Sequence, residues 1–203
     1  MKKSKVLIVG AFPSSTNKVF GGILTSCKAL IDSSFSSKFE LILIDSTQIK
    51  NPPPGLTIRA FLALVRYFKY IKELISNKPE AIILFTSSNS LSILEKGVMA
   101  WTSRIYNIPI FIFPRHTDII KMATKSYLNR IWITWVMKGA THILCQGPEW
   151  QRFAINKLGF DIVRTPIIPN WTATNQIISI GKNRIKNKNK VINLLFFSQL
   201  EKE

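Results

Sequence analysis

Five short stretches of nearly unbroken apolar residues punctuate the chain: KVLIVGAF (5–12), FELILIDS (39–46), EAIILFTS (80–87), IPIFIFP (108–114) and THILCQG (141–147). They do not alternate apolar with polar, which is the pattern of parallel strands covered on both faces. Segments long enough for helices lie at 22–34, 56–77, 90–106, 125–138 and 148–158. Strand followed by helix, repeated with right-handed crossovers, predicts an α/β fold with a doubly wound, mostly parallel sheet.

Within 56–77, Phe61, Leu64, Phe68, Ile71 and Ile75 follow one another at spacings of 3, 4, 3 and 4. This stripe predicts the face that packs on the sheet, with Arg59 and Arg66 on a solvated basic back. The competing reading rests the basic flank on anionic lipid. After Leu158 the character changes. DIVRTPIIPNWTA is proline-punctuated and extended, and TNQIISIGKNRIKNKNK is polar and basic. The predicted organisation is a domain over 1–172, a basic linker over 173–190, and a new apolar strand opening at 191 within 191–203.

Composition sharpens this picture. A hydrophobic share of 46% with 13 Phe and 5 Trp supplies a core and excludes general disorder. Cys27 and Cys145 stand far apart in apolar surroundings and fit no metal spacing, so buried reduced thiols are expected. The net charge of +17 includes Lys182, Arg184, Lys186, Lys188 and Lys190 in one run, and Lys69 and Lys72 with the arginines of 56–77. Such a surface attracts nucleic acid, phosphorylated small molecules or anionic headgroups, or serves solubility alone. MKKSKVLIVGAF imitates a signal peptide, but its apolar run is short and no small-x-small cleavage site follows, so a first strand is expected. No stretch approaches the ~18 apolar residues of a membrane span. A cytoplasmic protein is expected, with peripheral membrane contact open to it.

In an open parallel sheet, ligands bind beyond the carboxyl ends of the strands. After the first strand, GAFPSSTNKVFGGI carries neither G-x-G-x-x-G nor a G-x-x-x-x-G-K-[ST] loop. It ends instead in Gly21-Gly22 at a helix start, where bare backbone N–H groups admit a phosphate or a sugar. The fourth strand ends in Pro114-Arg115-His116-Thr117-Asp118, offering a cation, a titratable hydrogen-bonding group and an acceptor. His142 opens the fifth strand at the opposite edge and reads as structural. Pro148-Glu149 reads as a helix start, with Glu149 serving the helix dipole. No Ser/His/Asp set, H-E-x-x-H, Cys/His cluster or D-x-D is present, so neither a metal nor a cofactor is expected.

The order of these parts resembles the amino-terminal, Rossmann-like half of GT-B glycosyltransferases of the retaining family-4-like group. The resemblance is carried by the long first loop ending GG-I, the strand-end histidine of IFIFPRH, ILCQG opening a helix that runs to KLG, and IIPNW before the linker. INLLFFSQLEKE is similar to the opening of that family's second domain, an apolar strand followed by G-R-L-x-x-x-K-G. The resemblance implies transfer of a sugar from a nucleotide-sugar donor, held mainly by the second domain, to a glycan or lipid-linked acceptor, without a metal. It assigns Gly21 and Gly22 to the loop near the donor phosphates and His116 to the side chain facing the transferred sugar, with Arg115 beside it. In such a mechanism the leaving phosphate oxygen takes the acceptor's proton, and His116 orients the sugar and stabilises developing charge. Two departures stand out: Ser198 replaces the family's usual glycine and Gln199 its pyrophosphate-binding arginine. The matching lysine and the paired glutamates of the donor side would lie past Glu203, so no transferase activity is expected of this chain alone. A nucleic-acid-binding module explains the charge, but no helix-turn-helix, RRM or zinc motif supports sequence-specific binding. Another nucleotide-sugar enzyme, such as an epimerase on the same plan, is the remaining alternative.

Overall fold

The computed structural model describes residues 3–12, 21–48, 50, 52–169 and 175–183. Two compact units divide the chain at residues 172 and 173. In the first, a five-stranded all-parallel sheet takes the order β2-β1-β3-β4-β5 from β1 (Lys5–Gly10), β2 (Glu40–Asp45), β3 (Ala81–Thr86), β4 (Ile110–Pro114) and β5 (His142–Ile143). The fold is α/β and Rossmann-like, as the repeat of apolar strand and helix predicts. Register is set in the middle of the sheet, where Leu7 pairs with Ile42 on one side and Ile82 on the other. Beyond β5, Cys145 bridges Ile167 in parallel, so the proline-punctuated segment extends the sheet edge.

The helices are α1 (Gly22–Ile31), α2 (Ser34–Lys38), α3 (Leu56–Asn77), α4 (Ser90–Arg104), α5 (Asp118–Lys125), α6 (Tyr127–Lys138) and α7 (Pro148–Asn156). One sheet face, including Leu7, Val9, Ile82, Leu84 and Ile112, is buried against α3 to α7. The other, including Val6, Ile8, Phe85 and Phe113, packs with Cys27 of α1 and with α2 through Phe35. That α1 lies so close to β1 depends on Gly10, because a Cβ there would stand 2.6 Å from Cys27 Sγ.

Segment 22–34 breaks after Ile31, and Ser33 caps a second short helix by accepting from Phe35 N at 3.1 Å. Asp118–Lys125, expected as a loop after the fourth strand, forms the short helix α5. The second unit, 173–203, contains α8 (Asn175–Lys182), a helix within the segment read as linker. Its isoleucines supply helical periodicity to an otherwise polar stretch.

The largest correction concerns α3. Phe61, Leu64, Phe68 and Ile75 of the expected packing stripe are 54–69% exposed. The buried face is Ala63, Tyr70 and Leu74, with Tyr67 and Ile71 partly buried beside them. Arg66, expected on the solvated back, turns inward to Glu95. The reason is that α3 is apolar on both sides, and hydrogen bonding chooses between them. Tyr70 Oη meets Ser103 Oγ and donates to the Met99 carbonyl at 3.3 Å, while Tyr67 Oη pairs with Thr102 Oγ1 at 2.9 Å. Packing the phenylalanine stripe inward would give up those bonds and leave the buried Glu95 of α4 without Arg66.

Candidate functional site

A cavity of about 390 Å³ opens at the carboxyl ends of β1 to β4. It lies at the topological switch point, where β2 is laid to one side of β1 and β3 to the other. Its rim is tied together by Asp45 and Thr47. Phe12 N donates to Asp45 Oδ1 at 3.2 Å and to Thr47 Oγ1 at 3.1 Å, joining the chain after β1 to the chain after β2.

Gly21 and Gly22 line this cavity at the start of α1. Gly21 is the extended N-cap and offers no side-chain cap to the helix. An added Cβ at either glycine would meet nothing within 4 Å among the described residues, so no described neighbour requires them. Their effect is to leave the first-turn N–H groups, at the positive end of the helix, open to the cavity.

His116 also lines the cavity. Arg115 N continues the ladder by donating to the Thr86 carbonyl at 3.1 Å, and Ile120 N closes the first turn of α5 on Thr117 O at 2.9 Å. His116 stands between these two anchors, exposed. The loop glycines and the strand-end histidine are thus brought to one site. Arg115 is not among the lining residues. It donates to Ser26 Oγ at 2.6 Å and stacks over Phe113 with its guanidinium 5.0 Å from the ring centroid, between α1 and β4. Gln199 lies outside the described residues, as does the rest of 191–203.

The floor brings Arg66, expected on a solvated back, together with Glu95 and Lys96, which strand-end reasoning does not reach. Arg66 donates to Glu95 through Nε at 2.8 Å and Nη2 at 3.1 Å, and Lys96 Nζ reaches Glu95 Oε2 at 3.0 Å. All three line the cavity, and Glu95 and Lys96 are buried. Burial alone would raise the Glu95 carboxyl, but the Lys96 charge and the bonds from Arg66 hold it below its ordinary value. Burial also lowers the Lys96 ammonium, against the pull of Glu95. Two cations thus share one carboxylate, which fixes the floor and leaves the charged group with a net positive charge beneath the cavity. Asn89 caps α4 by accepting from Leu91 N at 3.1 Å, and it accepts from Arg59 as well. The available signal was the adjacent Glu95-Lys96 pair set among apolar residues of SILEKGVMA, where solvated charges do not belong.

His142 is half-buried against Phe111 at 4.9 Å, remote in the sheet from the cavity, and Glu149 stands in the first turn of α7 behind Pro148. Both thiols are buried, which pushes Cys27 up to about 12 and Cys145 up to about 11. Among the described residues, no three His, Cys, Asp or Glu side chains gather as a metal-binding group. No protein-family model matches the chain, and no curated protein matches it.

Proposed function

We propose that residues 1–172 are the acceptor-side lobe of a metal-independent, retaining glycosyltransferase of the GT-B kind, acting at the cytoplasmic side of the cell in surface-polysaccharide synthesis. The observation that carries the reading is the meeting, in one switch-point cavity, of the glycine-opened start of α1 with His116 at the end of β4. The phosphates of a nucleotide-sugar donor would face the bare N–H groups at Gly21 and Gly22. The acceptor hydroxyl oxygen forms a bond to the anomeric carbon as the bond to the leaving phosphate breaks. That phosphate oxygen takes the hydroxyl proton, so no protein base is needed. His116 orients the sugar and stabilises charge developing on it.

Amide NMR of the purified chain tests this. Titration with the nucleotide-sugar probes UDP-glucose and GDP-mannose is expected to move the Gly22, Ile23 and Ser87 amides. His116→Ala should weaken that binding by about tenfold, the worth of one ligand hydrogen bond. Cavity amides that stay unmoved in every sugar titration, or that answer instead to DNA with a sequence preference, overturn the reading.

A further inference from the structure

Outside the cavity, the most unusual surface of the molecule is the outer side of the helical layer formed by α3, α4 and α6. These helices pack side by side over one sheet face, with α4 in the middle: Arg66 and Tyr67 of α3 bond to it, and Trp101 Nε1 reaches the Trp135 carbonyl of α6 at 2.9 Å. Each helix turns one apolar stripe inward, and each carries a second stripe outward. On α3 the outward residues are Phe61 (65% exposed), Leu64, Val65 and Phe68 (69%). On α4, Leu94 and Val98 recur along one side, with Ile105 just past its end. On α6, Leu128, Ile131 and Trp135 do the same. An isolated exposed leucine needs no explanation, but exposed stripes on three adjacent helices exceed that scatter and suit a docking surface.

The charge on this layer selects what covers it. Lys69 and Lys72 are exposed on α3, interleaved with its phenylalanines. α3 and α4 hold one acid each, α6 has none, and both acids are engaged within the layer. Glu95 is buried against Arg66 and Lys96, and Glu73 accepts from Asn77 Nδ2 at 2.7 Å. A second copy laid on this surface would bring two sets of Lys69 and Lys72 together with only the Glu73 carboxylate of each copy to offset them. A layer of anionic headgroups over acyl chains meets both features at once, taking the ammonium groups at headgroup level and the aromatic stripe below it. The chain's net charge of +17 adds long-range attraction of the same sign. No described helix is long and apolar enough to cross a membrane, so contact would be in the plane of the interface.

We infer that the outer face of α3, α4 and α6 docks in the surface of an anionic lipid bilayer, with Phe61 and Phe68 inserted among the acyl chains and Lys69 and Lys72 at the headgroups. The inference does not rest on the transferase reading, and its test uses no catalytic readout. Co-sedimentation of the full chain with phosphatidylcholine vesicles, with and without about one-third phosphatidylglycerol, separates insertion from mere polycation binding. Near 0.5 M salt the Debye length falls to roughly 4 Å, which removes long-range attraction. Wild type is expected to remain on anionic vesicles there, and Phe61→Ser/Phe68→Ser to lose at least about tenfold in partitioning. Lys69→Gln/Lys72→Gln should weaken low-salt binding by roughly fivefold per lysine. Because all four side chains are exposed, these variants are expected to keep the wild-type circular dichroism and unfolding midpoint. Equal partitioning of wild type and the serine variant at high salt overturns the inference. So does a stable dimer that the serine variant dissociates and that ignores vesicles.

Discussion

Glu95→Ala is expected to cost about 3–5 kcal/mol of unfolding free energy, because it leaves a buried ammonium and a partly buried guanidinium facing each other without a counter-charge. A domain of ordinary stability has only about 5–15 kcal/mol in total, so the variant should be close to unfolding at 37 °C. Lys96→Met, at the neighbouring position, should lie within about 1 kcal/mol of wild type. Methionine fills similar volume, Glu95 keeps its two bonds from Arg66, and the desolvation of the ammonium disappears. Urea unfolding of both variants checks the asymmetry, and equal costs would contradict the assignment of Glu95 as the keystone. The pH dependence follows from the same geometry. Glu95 titrates below its ordinary value when folded, so it contributes stability that is complete above the unfolded carboxyl value of about 4.3. That contribution is lost as pH falls through the lower folded value. The acid limb of the wild-type stability profile should therefore flatten in Glu95→Gln. Lys96 has the opposite sign at neutrality: its folded value is lowered, so its charge costs stability until pH rises toward its unfolded value.

The second large effect is expected at Gly97, where α4 and α6 touch. A Cβ there would stand 2.7 and 2.8 Å from the two methyl carbons of Val136. Valine has little rotamer freedom in a helix, so the clash must be relieved by separating the helices. Gly97→Ala should destabilise by about 1–3 kcal/mol, overriding the roughly 1 kcal/mol that alanine normally gains over glycine in a helix. Val136→Ala, destabilising alone by loss of buried methyls, should be less so in the presence of Gly97→Ala. A double-mutant cycle in urea should return a coupling of about 0.5–3 kcal/mol favouring the double variant. Additive costs would show that the two helices do not meet at this point.

The parts of the fold carried by short continuous apolar runs were legible, because a strand covered on both faces has almost no other way to be written. α3 was not, for the reason that a helix apolar on two sides satisfies periodicity twice. The larger side chains, Phe61 and Phe68, mark the outer side, and the inner side is marked by Tyr67 and Tyr70, whose hydroxyls need partners on α4. Partner geometry is a tertiary fact that spacing along one helix does not contain. In the cavity, Gly21, Gly22 and His116 were found because strand-end loops are where ligands gather in such sheets. Arg115 follows the same rule in sequence, yet it is absent from the cavity lining and its guanidinium bonds to Ser26 and lies over Phe113. Glu95 and Lys96 were missed because a charged pair in a helix is ordinarily solvated, and only their apolar flanks argued otherwise.

The two cysteines lie in different layers, Cys27 on the inner side of α1 against one sheet face and Cys145 in the core of the other. Burial holds both as thiols far from the reactive thiolate form. Each is therefore silent to a thiol reagent until its own layer opens. The chain thus carries two built-in clocks, one for detachment of α1 and one for opening of the larger helical layer. Their relative rates report whether the two sides of the sheet come apart together or in turn.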